Sequence, residues 1–268
     1  MKTRAITGFF FVAVMLASVL FGEYAFTLFF LLLSVLCALE FYGLVSTDTV
    51  KPQKITGLAL LISIYLPLSL FFLKDEPLKY LFACIPLSFL IMVTELFRKQ
   101  ENPFHNIAYT FLGVLFAGIP FCFFYAMSFS GGSYSSHFPL GFLILLWSSD
   151  TGAYLFGISM GKHKLFERHS PKKTWEGLMG GFICSAIAAT ILSHYFQELA
   201  LLHWLVISLI IVIAGTLGDL TESMLKRSLG AKDSGSLLPG HGGLLDRFDG
   251  LLLAAPLVFV YLQLVGLF

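Results

Sequence analysis

Four short polar stretches in the second half of this chain gather side chains able to do chemistry. In WSSDTGAY, Trp147 to Tyr154, Asp150 sits within a long apolar run, about eleven residues from its end. A charge at that depth costs about 2.5–3.5 kcal/mol on membrane-insertion scales. It therefore marks either a functional site or the partner of a basic residue on a neighbouring helix. Ser148, Ser149 and Thr151 make its surroundings polar under both readings. In SPKKTWEG, Ser170 to Gly177, Pro171 is expected to open a helix with Ser170, Lys172, Lys173 and Thr174 around its start. A helix N-terminus offers unpaired N–H groups and a positive dipole end, so this stretch reads as a phosphate cradle or as a basic interfacial anchor.

The third stretch, GDLTESMLKR, places Asp219, Glu222, Ser223 and Lys226 at i, i+3, i+4 and i+7, on one helix face. Carboxylates followed by Lys226 and Arg227 suit a cation that holds a phosphorylated ligand. Mg²⁺ typically takes one or two carboxylates plus substrate phosphates. A solvated helix end with local ion pairs would show the same spacing. The fourth stretch, KDSGSLLPGHGGLLDRFDG, runs from Lys232 to Gly250. The glycines around His241 can turn their N–H groups toward an anion. Asp246 and Asp249 follow at i, i+3, where the last helix is expected to begin. The helix dipole alone would favour acids there, but it leaves the glycines and His241 unexplained.

Hard oxygen donors beside phosphate-type donors point to phosphoryl or nucleotidyl transfer. Other chemistries are excluded by what the chain lacks. Cys37, Cys84, Cys122 and Cys184 all lie in apolar runs, without metal or disulfide spacing. No GxGxxG or HExxH occurs, and GISMGKH is one residue short of a P-loop, with His163 where a hydroxyl belongs.

The elements that must position these stretches are helices in lipid. Charged residues make up 12% of the chain, against about 25% in an ordinary soluble domain. The mean hydropathy of +0.85 points the same way. A helix spans the hydrocarbon core with roughly 20 apolar residues. Nine stretches qualify, at about 5–22, 24–43, 55–73, 79–97, 107–129, 138–160, 175–196, 199–218 and 249–268. The expected fold is thus an all-α polytopic integral membrane protein, with the first stretch a retained helix. Nine crossings put fifteen Lys and Arg residues on the side of the N-terminus and only Lys74 and Lys79 opposite. Basic loops stay inside, so the N-terminus and all four polar stretches are expected on the cytoplasmic face. Residues 1–135 read as a five-helix scaffold or oligomer surface, closed by SGGSYSSH, and 136–268 as a four-helix catalytic region. Glu40 and Glu95, near cytoplasmic helix ends, read as satisfied edge residues rather than ligands.

The runs SMLKR from Ser223, KDSG from Lys232 and PGHGGLLDRFD from Pro239 resemble the signature of phosphatidate cytidylyltransferases, or CDP-diacylglycerol synthases. SPKKTWEG and WSSDTGAY are similar to that family too, and the likeness concentrates in residues 147–250. The resemblance implies that CTP and phosphatidate give CDP-diacylglycerol and pyrophosphate, with Mg²⁺ and one or two cations in the site. It implies catalytic roles for Asp219, Lys226, Asp246 and Asp249, with the three aspartates as metal ligands. Lys226, Arg227, Lys232, His241 and Arg247 would hold the triphosphate and pyrophosphate, and Lys172 and Lys173 the phosphatidate head group or CTP. Ser170, Asp150, Glu222 and Ser223 would support substrate binding. The nucleophile is already an anion, so no general base is required. The implied setting is the inner membrane, multi-pass, with CTP, phosphatidate and bilayer as partners and no nucleic acid; a homo-oligomer is open through the surface of the first half, and the sequence does not set the oligomeric state. The alternatives are a CTP-dependent kinase of a polyprenol-type alcohol and a transporter coupled through Asp150. A transporter fits poorly with one-sided polar residues and no visible repeat.

Overall fold

The computed structural model describes residues 2–237, 240 and 242–266, with side chains from residue 7 onward. Among the described residues there are ten α-helices and one short hairpin. In order they are α1 (Lys2–Leu20), α2 (Glu23–Val45), α3 (Lys54–Lys74), α4 (Cys84–Arg98), α5 (Pro103–Leu112), α6 (Ile119–Met127) and α7 (His137–Met160), then β1 (Lys164–Phe166), β2 (Ser170–Thr174), α8 (Trp175–Tyr195), α9 (Leu201–Ser228) and α10 (Leu245–Leu264). A 3₁₀ turn, Leu78–Ala83, leads into α4, and a π-helical turn, Gly113–Gly118, joins α5 to α6.

Among the described residues, seven stretches are long and apolar enough to cross a bilayer. They are α2, α3, Leu78–Arg98, Pro103–Met127, α7, α8 and α9. The fold is therefore that of a polytopic helical membrane protein. The outer two of the nine expected stretches fall on α1, whose apolar part Thr7–Leu20 is shorter, and on α10.

The chain packs as two compact units. One comprises Met1–Phe129 with Asp233–Arg247, the other Ser130–Lys232 with Phe248–Phe268. In the first, an aromatic cluster fills the core: Phe30 lies between Phe26 and Phe124, with ring centroids 4.6 and 4.8 Å away. Nearer the helix ends, a buried polar network is fully paired. Glu95 accepts from Gln53 Nε2 (2.7 Å), Asn106 Nδ2 (2.7 Å) and Arg98 Nη1 (2.8 Å). Buried polar groups persist when paired in this way, because unpaired they forfeit their hydration.

In the second unit, α7 and α8 approach through small residues, as helices in lipid commonly do. A Cβ on Gly152 would lie 2.5 Å from the Gly180 carbonyl, so only glycine permits this crossing. The hairpin β1–β2 is antiparallel and joins α7 to α8, with Lys164 opposite Thr174 and Phe166 opposite Ser170.

Candidate active site

SPKK is a strand, not the start of a helix as Pro171 suggested. The cap decides the boundary: Thr174 Oγ1 accepts the Gly177 N–H at 3.1 Å, so α8 begins at Trp175. Extended backbone sends alternate side chains to opposite faces. Lys172 is accordingly exposed, and Lys173 is half-buried. The Lys173 ammonium meets Asp219 Oδ2 of α9 at 2.7 Å and donates to the Thr216 carbonyl at 3.4 Å.

These groups line a cavity of about 330 Å³ between α7, the hairpin, α8 and α9, whose wall includes Ser149, Asp150, Lys172, Lys173, Thr216 and Asp219. Asp150, from the middle of α7, thus lines an accessible cavity. Asp249 joins the group through backbone contact: a Cβ on Gly218 would lie 2.3 Å from the Asp249 carbonyl, so α9 and α10 touch beside Asp219. Asp249 feels the charges of Asp219, Asp150 and Lys173. Ser223 donates to Asp219 Oδ1 at 3.2 Å and orients it.

Three mutually repelling carboxylates beside the Lys173 ammonium, with Lys172 in the same wall, leave an excess of negative charge that a divalent cation would complement. Among the described residues, no three His, Cys, Asp or Glu side chains are gathered tightly enough to cage a metal by themselves.

The other expected residues are placed differently. Lys226 is buried and paired with Glu222 at 2.5 Å, within α9. Arg227 is exposed and donates to the Ala231 carbonyl at 3.0 Å, closing the end of that helix. Ser170 opens β2, Lys232 is exposed, and Arg247 is exposed in the first turn of α10. Asp246 Oδ2 accepts the N–H groups of Ser234 (3.0 Å) and Gly243 (2.9 Å), drawing the two ends of the glycine-rich segment together. His241 lies outside the described residues.

Two further carboxylates make contacts that the sequence reading did not foresee: Glu176 was not singled out, and Glu40 was read only as a satisfied edge residue. Glu176 accepts the N–H groups of Lys162 (3.1 Å) and His163 (3.2 Å) and meets His163 Nδ1 at 2.6 Å, bracing the turn into the hairpin. Its place in the first turn of a helix was the available signal. Glu40 accepts the Leu245 N–H at 2.8 Å, across 205 positions of sequence, and no local pattern announces that contact.

Comparison with known proteins covers the whole chain. Residues 2–265 match the model of the cytidylyltransferase family. A Staphylococcus haemolyticus protein named phosphatidate cytidylyltransferase is 37% identical over 265 residues, which is 98% of this chain and 99% of that protein. A protein of the same name from Staphylococcus saprophyticus is 37% identical over 268 residues, with the same coverage. One from Staphylococcus aureus is 42% identical over 180 residues, 66% of this chain and 67% of its own length.

Proposed function

From the premise that this chain belongs to the cytidylyltransferase family, we propose that it transfers CMP from CTP to phosphatidate, giving CDP-diacylglycerol and pyrophosphate for phospholipid synthesis. The observation that carries this reading to particular residues is Lys173 bonded to Asp219 in a cavity wall that also holds Asp150 and Lys172. A phosphatidate oxygen attacks the α-phosphorus of CTP, and the bond from that phosphorus to the pyrophosphate oxygen breaks. Both reactants are anions, so the site must offset their repulsion and the charge that gathers on the leaving group.

Lys172 and Lys173 meet phosphate groups, and Lys173 exchanges its contact with Asp219 for one with substrate. Asp219 and Asp249 would hold Mg²⁺, with Asp150 adding negative charge. The cation supplies charge neutralisation for the phosphates and the departing pyrophosphate. Asp246 forms the neck of the glycine-rich segment, and the family resemblance would make it a metal ligand as well. Lys226, paired with Glu222, and Arg227, Lys232, His241 and Arg247 stay assigned to the triphosphate on the family resemblance alone.

Purified protein given labelled CTP, phosphatidate and Mg²⁺ should form CDP-lipid and pyrophosphate in equal amounts, and chelation of Mg²⁺ should stop it. Release of CDP with a phosphorylated lipid would instead establish the kinase. A site facing the cytoplasm further requires that cysteines introduced at Ser133 and Lys164 label from opposite sides of the membrane. Labelling from one side would refute the proposed orientation.

A further inference from the structure

The glycine-rich segment contains two kinds of glycine. Gly240 and Gly242 have φ of 78° and 82°, a backbone region that favours glycine. Gly235 and Gly243 are outside that region, so their conformations do not call for glycine. Space does. A Cβ on Gly235 would lie 1.9 Å from Glu40 Oε1, and its next two neighbours would be Glu40 Cδ at 2.7 Å and Cγ at 2.9 Å. A Cβ on Gly243 would lie 2.1 Å from the same oxygen. Both glycines close directly onto the carboxylate of one residue of α2.

That carboxylate is buried, with Glu40 only 8% exposed. Its other oxygen accepts the Leu245 N–H at 2.8 Å, where α10 begins. A helix N-terminus leaves N–H groups without intrahelical partners and carries a positive dipole end, and a buried carboxylate answers both. Asp246 draws Ser234 and Gly243 together, while Glu40 fixes the position at which that neck sits.

We propose that Glu40 is a positioning residue for cytidylyl transfer: it sets the path of the glycine-rich segment and the first turn of α10, which carries Asp246. The inference rests on the function proposed above, but its structural content can be read without turnover.

The test uses the full chain in detergent, with Glu40→Ala, Glu40→Gln, Gly235→Ala and the double variant Glu40→Ala/Gly235→Ala. A hydrogen bond to a charged acceptor, once lost, opens the backbone locally by about tenfold or more. In Glu40→Ala, hydrogen exchange at Ser234, Gly243 and Leu245 should quicken by at least that factor, while α7 to α9 keep their protection. kcat/KM for CTP should fall about tenfold, mainly through KM, by the same local opening. Glu40→Gln retains an amide oxygen for the Leu245 N–H and should restore most of both. Gly235→Ala should damage the normal protein yet add little to Glu40→Ala, because the atoms it collides with are gone.

Unchanged exchange at the three amides in Glu40→Ala overturns the proposal. So does loss of protection spread evenly over the chain, or a Gly235→Ala effect that ignores the residue at position 40. If the unmutated protein makes no CDP-lipid, the functional reading fails, and exchange together with the double variant still decides what Glu40 does.

Discussion

In the cavity beside α7, the carboxylate of Asp219 faces an ammonium, Lys173 Nζ at 2.7 Å, in a wall open to a ligand. In the glycine-rich segment, the carboxylates of Asp246 and Glu40 face backbone N–H groups of Ser234, Gly243 and Leu245. The first arrangement joins two movable side chains, so either partner can exchange the other for a phosphate or a cation. The second consumes charge in fixing the course of the chain. Acids of the first kind can therefore be altered with little effect on the fold. Acids of the second kind cannot be removed without moving the segment they hold.

The largest expected effect lies in the cavity. Asp219→Asn keeps the volume and the Ser223 contact but removes the charge proposed to hold Mg²⁺. It should lower kcat/KM by ~10²–10³-fold, the range for loss of one well-placed electrostatic group. Thermal melting in detergent should stay at that of the unmutated protein. A variant that melts early would place Asp219 with the backbone-holding acids and break the contrast.

Asp246→Asn should cost nearly as much turnover, about 10²-fold, the upper range for disturbing a metal's surroundings. It sharpens the comparison because its amide oxygen can still accept from Ser234 and Gly243. Normal hydrogen exchange at those two amides with turnover lost would assign the deficit to charge. Fast exchange would assign it to the neck of the segment.

How much of this was legible in the sequence follows from the range of each interaction. The long helices are written locally, since apolar runs of membrane length leave few alternatives, and seven of them appear where hydropathy put them. Asp150, Lys172, Lys173 and Asp219 were legible because polar groups within apolar chain demand a reason, and one cavity receives all four. The strand at SPKK was hidden because its partner, Lys164–Phe166, is a choice made in three dimensions. Glu40 was hidden more deeply. Its near neighbours in sequence suggest only a helix end, and the residue it pins lies 205 positions away.

Lys173→Met should have a smaller effect than either aspartate change. It removes a cation from a site that keeps Lys172 in the same wall. A lost hydrogen bond between charged groups corresponds to about 10–100-fold in kcat/KM. Most of that should appear in KM, since Lys173 is proposed to hold phosphate in the ground state as well as the transition state. Lys173→Arg should recover part of it. A loss confined to kcat would show that Lys173 acts chiefly on the charge developing during transfer.

The smallest effect on catalysis is expected at Glu95, which resembles Glu40 in residue type, burial and place near a helix end. Its partners differ in kind. Glu95 is surrounded by side-chain donors, Gln53 and Arg98 on one oxygen and Asn106 on the other, in a network far from any glycine turn in sequence. Glu95→Gln would turn an amide N–H₂ toward one of those donors, leaving two donors face to face and one buried group unpaired. That should lower stability by about 1–3 kcal/mol, read as an earlier thermal transition. Yet nothing in the network holds the glycine-rich segment or the cavity acids, so KM for CTP should match that of the unmutated protein. If Glu95→Gln raised KM as Glu40→Ala does, any buried glutamate in these helices would matter equally, and the distinction between a carboxylate that holds scaffold and one that holds a working segment would fail.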